Sequence, residues 1–274
     1  MKNILFLAAL ALVCACGPQK AQAPKISIFS DHIQTIARQE GISFREAATL
    51  VREIGFDGVD VRVLQNPEEL RILDSLGFGH SCAIADIDYG AGAQPEMEEK
   101  ALAFLEERGY DRLLLVPGLM PEGWTDGDRD AARQRIAAFA ERVAAKGFRV
   151  LLEDYDNPRS LCYNIERLDS LFALSGDLGH VFDTGNYLFA GEDPMECYRH
   201  FRDRIGHVHL KDRVAPDNMR CVPAGTGCIP IADVVRDLKA TGYDGWLTVE
   251  QFGSRQMLAD SKAAYANVLS ILSE

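Results

Sequence analysis

The stretch 130–154, DAARQRIAAFAERVAAKGFRVLLED, contains the unit from which the whole chain is built. Residues 130–146 place apolar side chains at the 3.6-residue spacing of an amphipathic helix. Gly147 follows, and glycine readily adopts the left-handed conformation in which helices end. The apolar run at 150–154 is then typical of a buried strand. The stretch therefore predicts a helix that turns back into a short strand.

The same alternation extends along the chain from Lys25. Strands are predicted at 25–29, 58–63, 82–86, 112–116, 150–154, 180–183, 207–210 and 247–251. Helices are predicted at 44–54, 67–76, 96–108, 130–146, 165–174, 194–205, 231–239 and 256–272. Strict alternation predicts a parallel sheet with right-handed crossovers. Residues 25–274 make eight units of about 31 residues, the size expected for an α/β fold of the (β/α)₈ TIM barrel type.

The element boundaries carry their own signals. Left-handed helix ends are predicted at six glycines: Gly55, Gly77, Gly109, Gly147, Gly176 and Gly242. Helix starts are predicted after Ser43, which has Glu46 three residues later, after Asn66 and after Asp193. A doubly wound open sheet is the alternative fold. It is disfavoured because no G-x-G-x-x-G motif follows the first strand.

The first 24 residues read as an export signal rather than as part of the barrel. Lys2 precedes a short apolar run at 4–13, and small residues lead to Cys16. This resembles a bacterial lipobox, which implies a signal peptide at 1–15, lipidation of Cys16 and a tether at 16–24. A plain signal peptide or a buried helix is the alternative. We expect an exported, periplasm-facing lipoprotein whose domain occupies 25–274.

Composition excludes several classes of protein. With 47% hydrophobic and 26% charged residues, the chain is neither disordered nor a coiled coil. Its 29 basic and 41 acidic residues give a net charge of −12, which argues against general affinity for nucleic acid or anionic lipid. Five cysteines follow the lipobox, so not all can pair. Free thiols are favoured, and a local Cys221–Cys228 bridge is left open.

Four polar residues at predicted strand ends suggest a metal site. Alternation along the strands directs Glu153, Asp183, His209 and Glu250 toward the barrel axis. Three carboxylates gathered around one imidazole would repel one another unless a cation lay between them. This oxygen-rich set suits Mn²⁺ or Mg²⁺ with open positions for substrate oxygens, and zinc is less favoured.

Five sequence phrases then resemble a known family. They are 151–154 (LLED), 182–186 (FDTGN), 207–212 (HVHLKD), 222–227 (VPAGTG) and 248–250 (TVE). In this order they resemble the sugar phosphate isomerase/epimerase family of xylose-isomerase-like TIM barrels, which includes ketose 3-epimerases, hydroxypyruvate isomerase and inosose dehydratase. The resemblance implies that the four strand-end residues bind a divalent metal. Mn²⁺ is expected first, with Mg²⁺, Co²⁺ and Zn²⁺ open.

The resemblance also implies the chemistry. We expect a metal-dependent sugar isomerase or epimerase that removes a proton next to a carbonyl through an enediolate, with Glu153 and Glu250 as the catalytic acid and base. A lyase or dehydratase acting on an oxidised sugar from the same site is the alternative. The expected partner is a small sugar or keto-sugar. Nucleic acid is not expected, membrane contact is expected only through the lipid, and a homo-oligomer is left open.

Further residues are expected around the metal. The residues predicted to bind substrate are Asn186, Lys211, Arg213, Arg220 and Trp124, the arginines by gripping an anionic group and Trp124 by stacking on a sugar ring. Solvated side chains are the alternative for the two arginines, and packing within its loop is the alternative for Trp124.

Polar residues deeper in the strands are assigned to the scaffold. We expect His207 to be a hydrogen-bonded interior residue. Asp60 and Arg62 are expected to form an interior ion pair rather than to contact the pocket. His80 is expected to precede its strand, at the end of the barrel away from the chemistry.

Two other classes of function stay open. A metal-dependent phosphodiesterase of the endonuclease type shares this barrel, although the acidic charge disfavours it. A non-catalytic sugar-binding lipoprotein would keep the scaffold alone, and the intact set of site residues argues against it.

Overall fold

The computed structural model describes residues 24–274. The predicted signal peptide, Cys16 and all of the tether except Pro24 lie outside the described residues. Within residues 24–274, no helix combines the length and apolarity needed to cross a membrane.

Nine strands and nine α-helices make up this part of the chain. The strands are β1 (Lys25–Phe29), β2 (Gly58–Arg62), β3 (Gly79–Asp86), β4 (Arg112–Val116), β5 (Arg149–Glu153), β6 (Leu178–Asp183), β7 (Ile205–Ala215), β8 (Asn218–Val222) and β9 (Trp246–Glu250). The helices are α1 (Ser30–Glu40), α2 (Phe44–Ile54), α3 (Pro67–Ser75), α4 (Pro95–Arg108), α5 (Asp126–Ala144), α6 (Ile165–Phe172), α7 (Pro194–Phe201), α8 (Ile231–Ala240) and α9 (Met257–Ser273).

Eight of the strands close into a parallel barrel. Each of β1 to β6 pairs in parallel with the next strand, β7 pairs with β9, and β9 returns to β1. β8 lies outside the barrel and pairs antiparallel with the extended end of β7. The predicted (β/α)₈ barrel is confirmed.

The sequence analysis did not predict helix α1 or the β7–β8 hairpin. Helix α1 begins directly after β1 and ends at Gly41, whose φ of 66° is left-handed. Its first residues, Ser30-Asp31-His32, are polar and so read as a loop in the sequence. In the structure Ser30 and His32 lie on the buried face of the helix, where an apolar residue would have been expected. The β7–β8 hairpin was likewise missed. Its strand β8 is only partly buried, so it lacks the apolar run by which the barrel strands were recognised.

The predicted caps and helix-ending glycines are found with one exception, although α5 begins four residues earlier and α7 ends four residues earlier than predicted. Ser43 and Glu46 form a reciprocal capping box, and the side chains of Asn66 and Asp193 each accept a backbone hydrogen bond. Five of the six glycines have positive φ angles. The prediction for Gly176 was wrong: α6 ends in a right-handed Ala173, and Gly176 lies in the loop to β6 without a positive φ.

The barrel interior is divided into an apolar and a polar part. Buried apolar side chains from six strand positions form a separate cluster inside it: Phe29, Cys82, Ile84, Leu114, Leu151 and Val181. Buried polar side chains fill the remainder: Ser27, Asp60, Ser81, His207, His209 and Thr248. The main apolar core lies between the outer face of the strands and the helices. The polar part of the interior therefore determines where a site can form.

Trp246 packs against two strand glycines at the amino-terminal end of the barrel. A Cβ atom on Gly58 would lie 2.5 Å from the Trp246 ring and 2.9 Å from the carbonyl oxygen of Gly79. A Cβ on Gly79 would lie 2.7 Å from the same ring. The close approach of the indole to the backbone therefore requires glycine at both positions.

Gly58→Ala is expected to lower the free energy of unfolding by about 1–3 kcal/mol, because the added methyl group meets an aromatic ring and a backbone oxygen that cannot both move away. Urea denaturation followed by circular dichroism measures the change. Gly176→Ala is the matched control, since a Cβ there meets nothing within 4 Å, and it should stay within about 0.5 kcal/mol of the wild type. Equal stability of the two variants would contradict this packing.

Candidate metal centre

Four acidic and histidine side chains meet at the carboxyl-terminal mouth of the barrel. Glu153, Asp183 and Glu250 are the last residues of β5, β6 and β9, and His209 lies in β7 beside Asp183. One ligand atom from each lies within 4.8 Å of the others. Because the mouth edge of a parallel barrel gathers its strand ends, residues far apart in sequence converge on one point.

His209 is held from both sides of its ring. Its Nδ1 atom lies 2.5 Å from Glu153 Oε1 and 3.2 Å from Glu250 Oε2. Its Nε2 atom lies 3.2 Å from Asp60 Oδ2. A proton shared with Asp60 leaves Nδ1 as the nitrogen that faces the carboxylates. Burial by itself would lower the pKa of His209, but the Glu153 carboxylate and these hydrogen bonds raise it well above its usual value.

Asp60 is the buried acceptor beneath the centre. Ser81 and Thr248 donate to its Oδ1 atom, and His207 Nε2 lies 2.9 Å from Oδ2. Burial opposes ionisation, but the two histidines hold the pKa of Asp60 well below its usual range. With His209 as its fourth partner, both carboxylate oxygens are fully engaged. The cluster of Asp60, His207 and His209 could bring ligand atoms together, but it offers no free carboxylate oxygen.

Lys211 supplies the positive charge at the mouth. Its ammonium lies 2.5 Å from Glu250 Oε1, 2.9 Å from Asp183 Oδ2 and 2.9 Å from Asn186 Oδ1. Burial raises the pKa of Asp183 to about 7, against the opposing effect of Lys211. Burial would also raise the pKa of Glu250, but Lys211 and His209 hold it well below its usual range.

The four side chains fit a divalent metal ion. Asp183 Oδ1 accepts from the backbone amides of Gly185 and Asn186, so its Oδ2 atom is left for the centre. Asp183 Oδ2 and Glu250 Oε2 are both buried and make no well-aligned hydrogen bond; their neighbours are the Lys211 ammonium at 2.9 Å and His209 Nδ1 at 3.2 Å. Buried carboxylate oxygens are costly unless they are well paired, and a shared cation satisfies them. This hard donor set with one imidazole is suited to Mn²⁺ or Mg²⁺.

A cavity of about 370 Å³ lies over the centre, within the range of small-ligand sites. Glu153, Glu250, Asn186, Lys211 and Arg213 line it. Its other lining residues are Phe29, Arg62, Ile84, Asp86, Leu114, Val116, Tyr155, Asp156, Cys221 and Phe252. Charged groups and apolar side chains therefore share one small space.

Three of the five predicted substrate residues lie at this cavity. Asn186 Oδ1 accepts from Lys211 and from Arg213 Nη2, at 2.9 and 3.2 Å, so the three side chains form one network. Arg220 does not join them, because it lies on β8 with its side chain exposed to solvent. Trp124 does not line the cavity either; it packs against the main apolar core.

The expected pairing of Asp60 with Arg62 was wrong. Asp60 binds histidines inside the barrel, whereas Arg62 lies nearer the mouth and pairs with Asp31 and Asp86. Contrary to expectation, Arg62 also lines the cavity. His207 is buried and hydrogen-bonded to Asp60 and Thr248, as expected.

The position of His80 and the state of the cysteines were also predicted from the sequence. His80 lies within β3 rather than before it, and its ring stacks on Tyr110, 4.5 Å between centroids, away from the centre. All five described cysteines are free, so the Cys221–Cys228 bridge left open by the sequence is not formed.

Phe252 is the main cavity residue that sequence reasoning missed. It follows Glu250 by two residues, is 43% exposed, and packs edge-to-face against Phe29 and His32. The signal available was its position just past a ligand-bearing strand, where barrel enzymes place their functional loops. An exposed aromatic ring there offers a stacking surface for a ligand.

Comparison with curated proteins gives three informative relatives. The rhizopine catabolism protein MocC of Rhizobium meliloti is 32% identical over 154 residues, 49% of this chain and 44% of that protein. An inosose dehydratase of Lacticaseibacillus casei is 32% identical over 87 residues, 26% of this chain and 29% of that protein. The chain thus spans less than half the length of these two relatives. An inosose dehydratase of Clostridium botulinum (strain Alaska E43 / Type E3) is 29% identical over 251 residues, 76% of this chain and 82% of that protein.

Solved structures share the fold at low identity. The probable 3-DHS dehydratase AsbF of Bacillus anthracis superposes with a TM-score of 0.74 and 19% identity, covering 90% of this chain and 98% of that one. An L-ribulose 3-epimerase gives a TM-score of 0.70 and 21% identity, covering 91% and 95%. A xylose isomerase-like TIM barrel protein from Mycobacterium smegmatis, solved in complex with magnesium, gives a TM-score of 0.64 and 19% identity. The match covers 84% of this chain and 88% of that one.

The family model described as the xylose isomerase-like TIM barrel matches residues 48–273. This match covers most of the barrel, including all four side chains of the candidate metal centre. The chain therefore belongs to the xylose isomerase-like TIM barrel family.

Proposed function

We propose that this protein is a divalent-metal-dependent isomerase or epimerase that acts on a keto-sugar by moving a proton next to its carbonyl. One observation carries the proposal: Glu153 and Glu250 approach His209 Nδ1 from β5 and β9, two strands separated by β6 and β7. Two carboxylates thus flank one point over the barrel axis. A reaction that removes a proton on one side and returns it on the other needs such a pair.

Each group at the centre has a separate role in the proposed reaction. A bound divalent ion would polarise the substrate carbonyl and stabilise the enediolate. Glu153 removes the proton, and Glu250 returns it from the other side. The network of Lys211, Asn186 and Arg213 orients substrate hydroxyl groups, and the apolar rings over the cavity exclude water. We propose Mn²⁺ as the metal because the donor set is mainly carboxylate.

Elimination of water is the second candidate reaction. It begins with the same proton removal but ends with loss of a hydroxyl group from the neighbouring carbon. The inosose dehydratase of Clostridium botulinum, similar over 76% of this chain, favours it. So does the Lys211 ammonium, which is 6% exposed at the cavity and could donate a proton to a departing hydroxyl.

We further propose that the protein works outside the cytoplasm. The sequence at 1–24 supports export and attachment through lipidated Cys16, with the catalytic domain at 25–274 on the periplasmic side. Such a location favours unphosphorylated keto-sugars as substrates.

Solvent exchange tests the proton transfer. In D₂O with Mn²⁺, the protein is expected to incorporate deuterium into one member of a panel of ketoses and keto-inositols, detected by NMR. Glu153→Gln should lower the exchange rate by at least about 100-fold, because the amide cannot accept the proton. Glu141→Gln, an exposed glutamate of α5, is the control.

The product of the same reaction separates the two candidates. An epimer or isomer of unchanged mass supports the main proposal, and a product lacking one water supports elimination. Exchange that persists in Glu153→Gln would contradict the assignment of the base, and no exchange over the whole panel would contradict both reactions.

Asp60→Asn tests the support beneath the centre. The neutral amide loses the negative charge that holds both imidazoles at Oδ2, and its NH₂ group replaces one of the two accepting oxygens, so the support that orients His209 Nδ1 is weakened. Affinity for Mn²⁺, measured by calorimetry on the metal-free protein, is expected to fall about 10–100-fold. Asp212→Asn is the matched control: Asp212 is also fully buried but binds backbone amides at 225–229. An unchanged affinity in Asp60→Asn, or an equal loss in Asp212→Asn, would show that Asp60 does not position the ligand.

A further inference from the structure

A second cavity opens beside the metal-site cavity at the same end of the barrel. Its volume is about 400 Å³, close to the 370 Å³ of the first. It lies between α1, the loop from β2 to α3, and the end of β3, with Met97 of α4 at its edge. Arg62, Ile84 and Asp86 line both cavities, so these side chains form the boundary between them.

The second cavity is lined by groups that bind hydroxyls. Its carboxylates and amides are Asp31, Gln34, Gln65, Asn66 and Glu69. Carboxylates accept hydrogen bonds from hydroxyl groups, and amides both donate and accept them. Gln34 and Gln65 both donate to Glu69, which fixes the three side chains in place. A preorganised set of this kind costs little further ordering when a polyhydroxylated ligand binds.

An apolar side chain completes the lining. Leu64 is 70% exposed, and few large apolar side chains in residues 24–274 are exposed at all. Phe252 is another of them, and it lines the first cavity. Each cavity therefore has one exposed apolar surface against which the face of a sugar ring can pack, together with polar groups for its hydroxyls.

Arg62 connects the two cavities. Its Nε atom lies 3.2 Å from Asp31 Oδ2 and its Nη1 atom 2.7 Å from Asp86 Oδ2, so two carboxylates hold the guanidinium at the boundary. The Nη2 atom donates to no described residue within 24–274. Its N–H groups are free to bind an oxygen of a ligand that crosses from one cavity into the other.

We infer that the second cavity binds a second polyhydroxylated ring of the substrate. The preferred substrate is then a two-ring keto-sugar glycoside, with its keto-sugar ring at the metal centre and its other ring beside Leu64. This inference rests on the function proposed above, since it names the substrate class of the same site.

The test compares one-ring and two-ring ketoses on the Mn²⁺-loaded protein. D-fructose is the one-ring probe, and maltulose and isomaltulose carry an added glucosyl ring at different positions. For one of the two disaccharides, kcat/KM for deuterium exchange is expected to exceed the value for D-fructose at least about tenfold. Equal values for all three sugars would overturn the inference and leave the proposed function standing.

Two variants locate the preference in the second cavity. Leu64→Ala removes the apolar surface, and Gln34→Trp fills the space; each is expected to lower the disaccharide-to-fructose ratio at least about fivefold. Leu269→Ala, an exposed leucine of α9 that is 45% accessible, is the matched control and should leave the ratio unchanged. A ratio that survives both cavity variants would overturn the inference.

Calorimetry separates the inference from the reaction itself. If no sugar exchanges deuterium, the reaction proposed for the centre is contradicted. Tighter binding of a disaccharide than of D-fructose, abolished by Gln34→Trp, would still support the second-ring site. Equal binding of the sugars would overturn it independently of any turnover.

Discussion

The hydrogen bond between Asp60 and His209 is the interaction on which the site depends. A fully buried carboxylate is stable only when its oxygens are engaged, and Asp60 has four donors: Ser81, Thr248, His207 and His209. Because Asp60 takes the proton-bearing Nε2 side of His209, the Nδ1 side is directed at Glu153 and Glu250. The hydrogen bonds that stabilise buried Asp60 thus also orient His209 so that its Nδ1 atom can bind a metal.

The division of the barrel interior follows from this requirement. Charged groups concentrate along the part of the interior built from β2, β5, β6, β7 and β9, where carboxylates, imidazoles and one ammonium compensate one another. Leu114 and the neighbouring apolar side chains fill the rest, which keeps the local dielectric low. In such surroundings a charge gains more from a partner and loses more without one. Asp183 Oδ2 and Glu250 Oε2 make no well-aligned hydrogen bond and converge with Glu153 and His209, so they mark the centre as the place where a cation belongs.

Much of the architecture could be predicted because parallel barrels repeat two simple periods. Alternation within strands was enough to direct Glu153, Asp183, His209 and Glu250 inward, and the structure brings them together. The same rule did not predict the partners of Asp60 and Arg62. Residues two apart in a strand share a face, but they lie about 7 Å apart along the strand. One lies beneath the centre and the other at the mouth. Trp124 and Arg220 lie outside the barrel strands, where periodicity does not fix the direction of a side chain.

The proposed chemistry requires Glu153, Asp183, His209 and Glu250 to bind one divalent ion together. The decisive experiment is a crystal structure of the protein with Mn²⁺, with the ion located by anomalous scattering. We predict a single strong peak at about 2.0–2.3 Å from one oxygen of each carboxylate and from His209 Nδ1, with Asp60 still bonded to Nε2. A peak at another site, or an ion bound by fewer than three of these side chains, would show that the four residues do not form one metal centre.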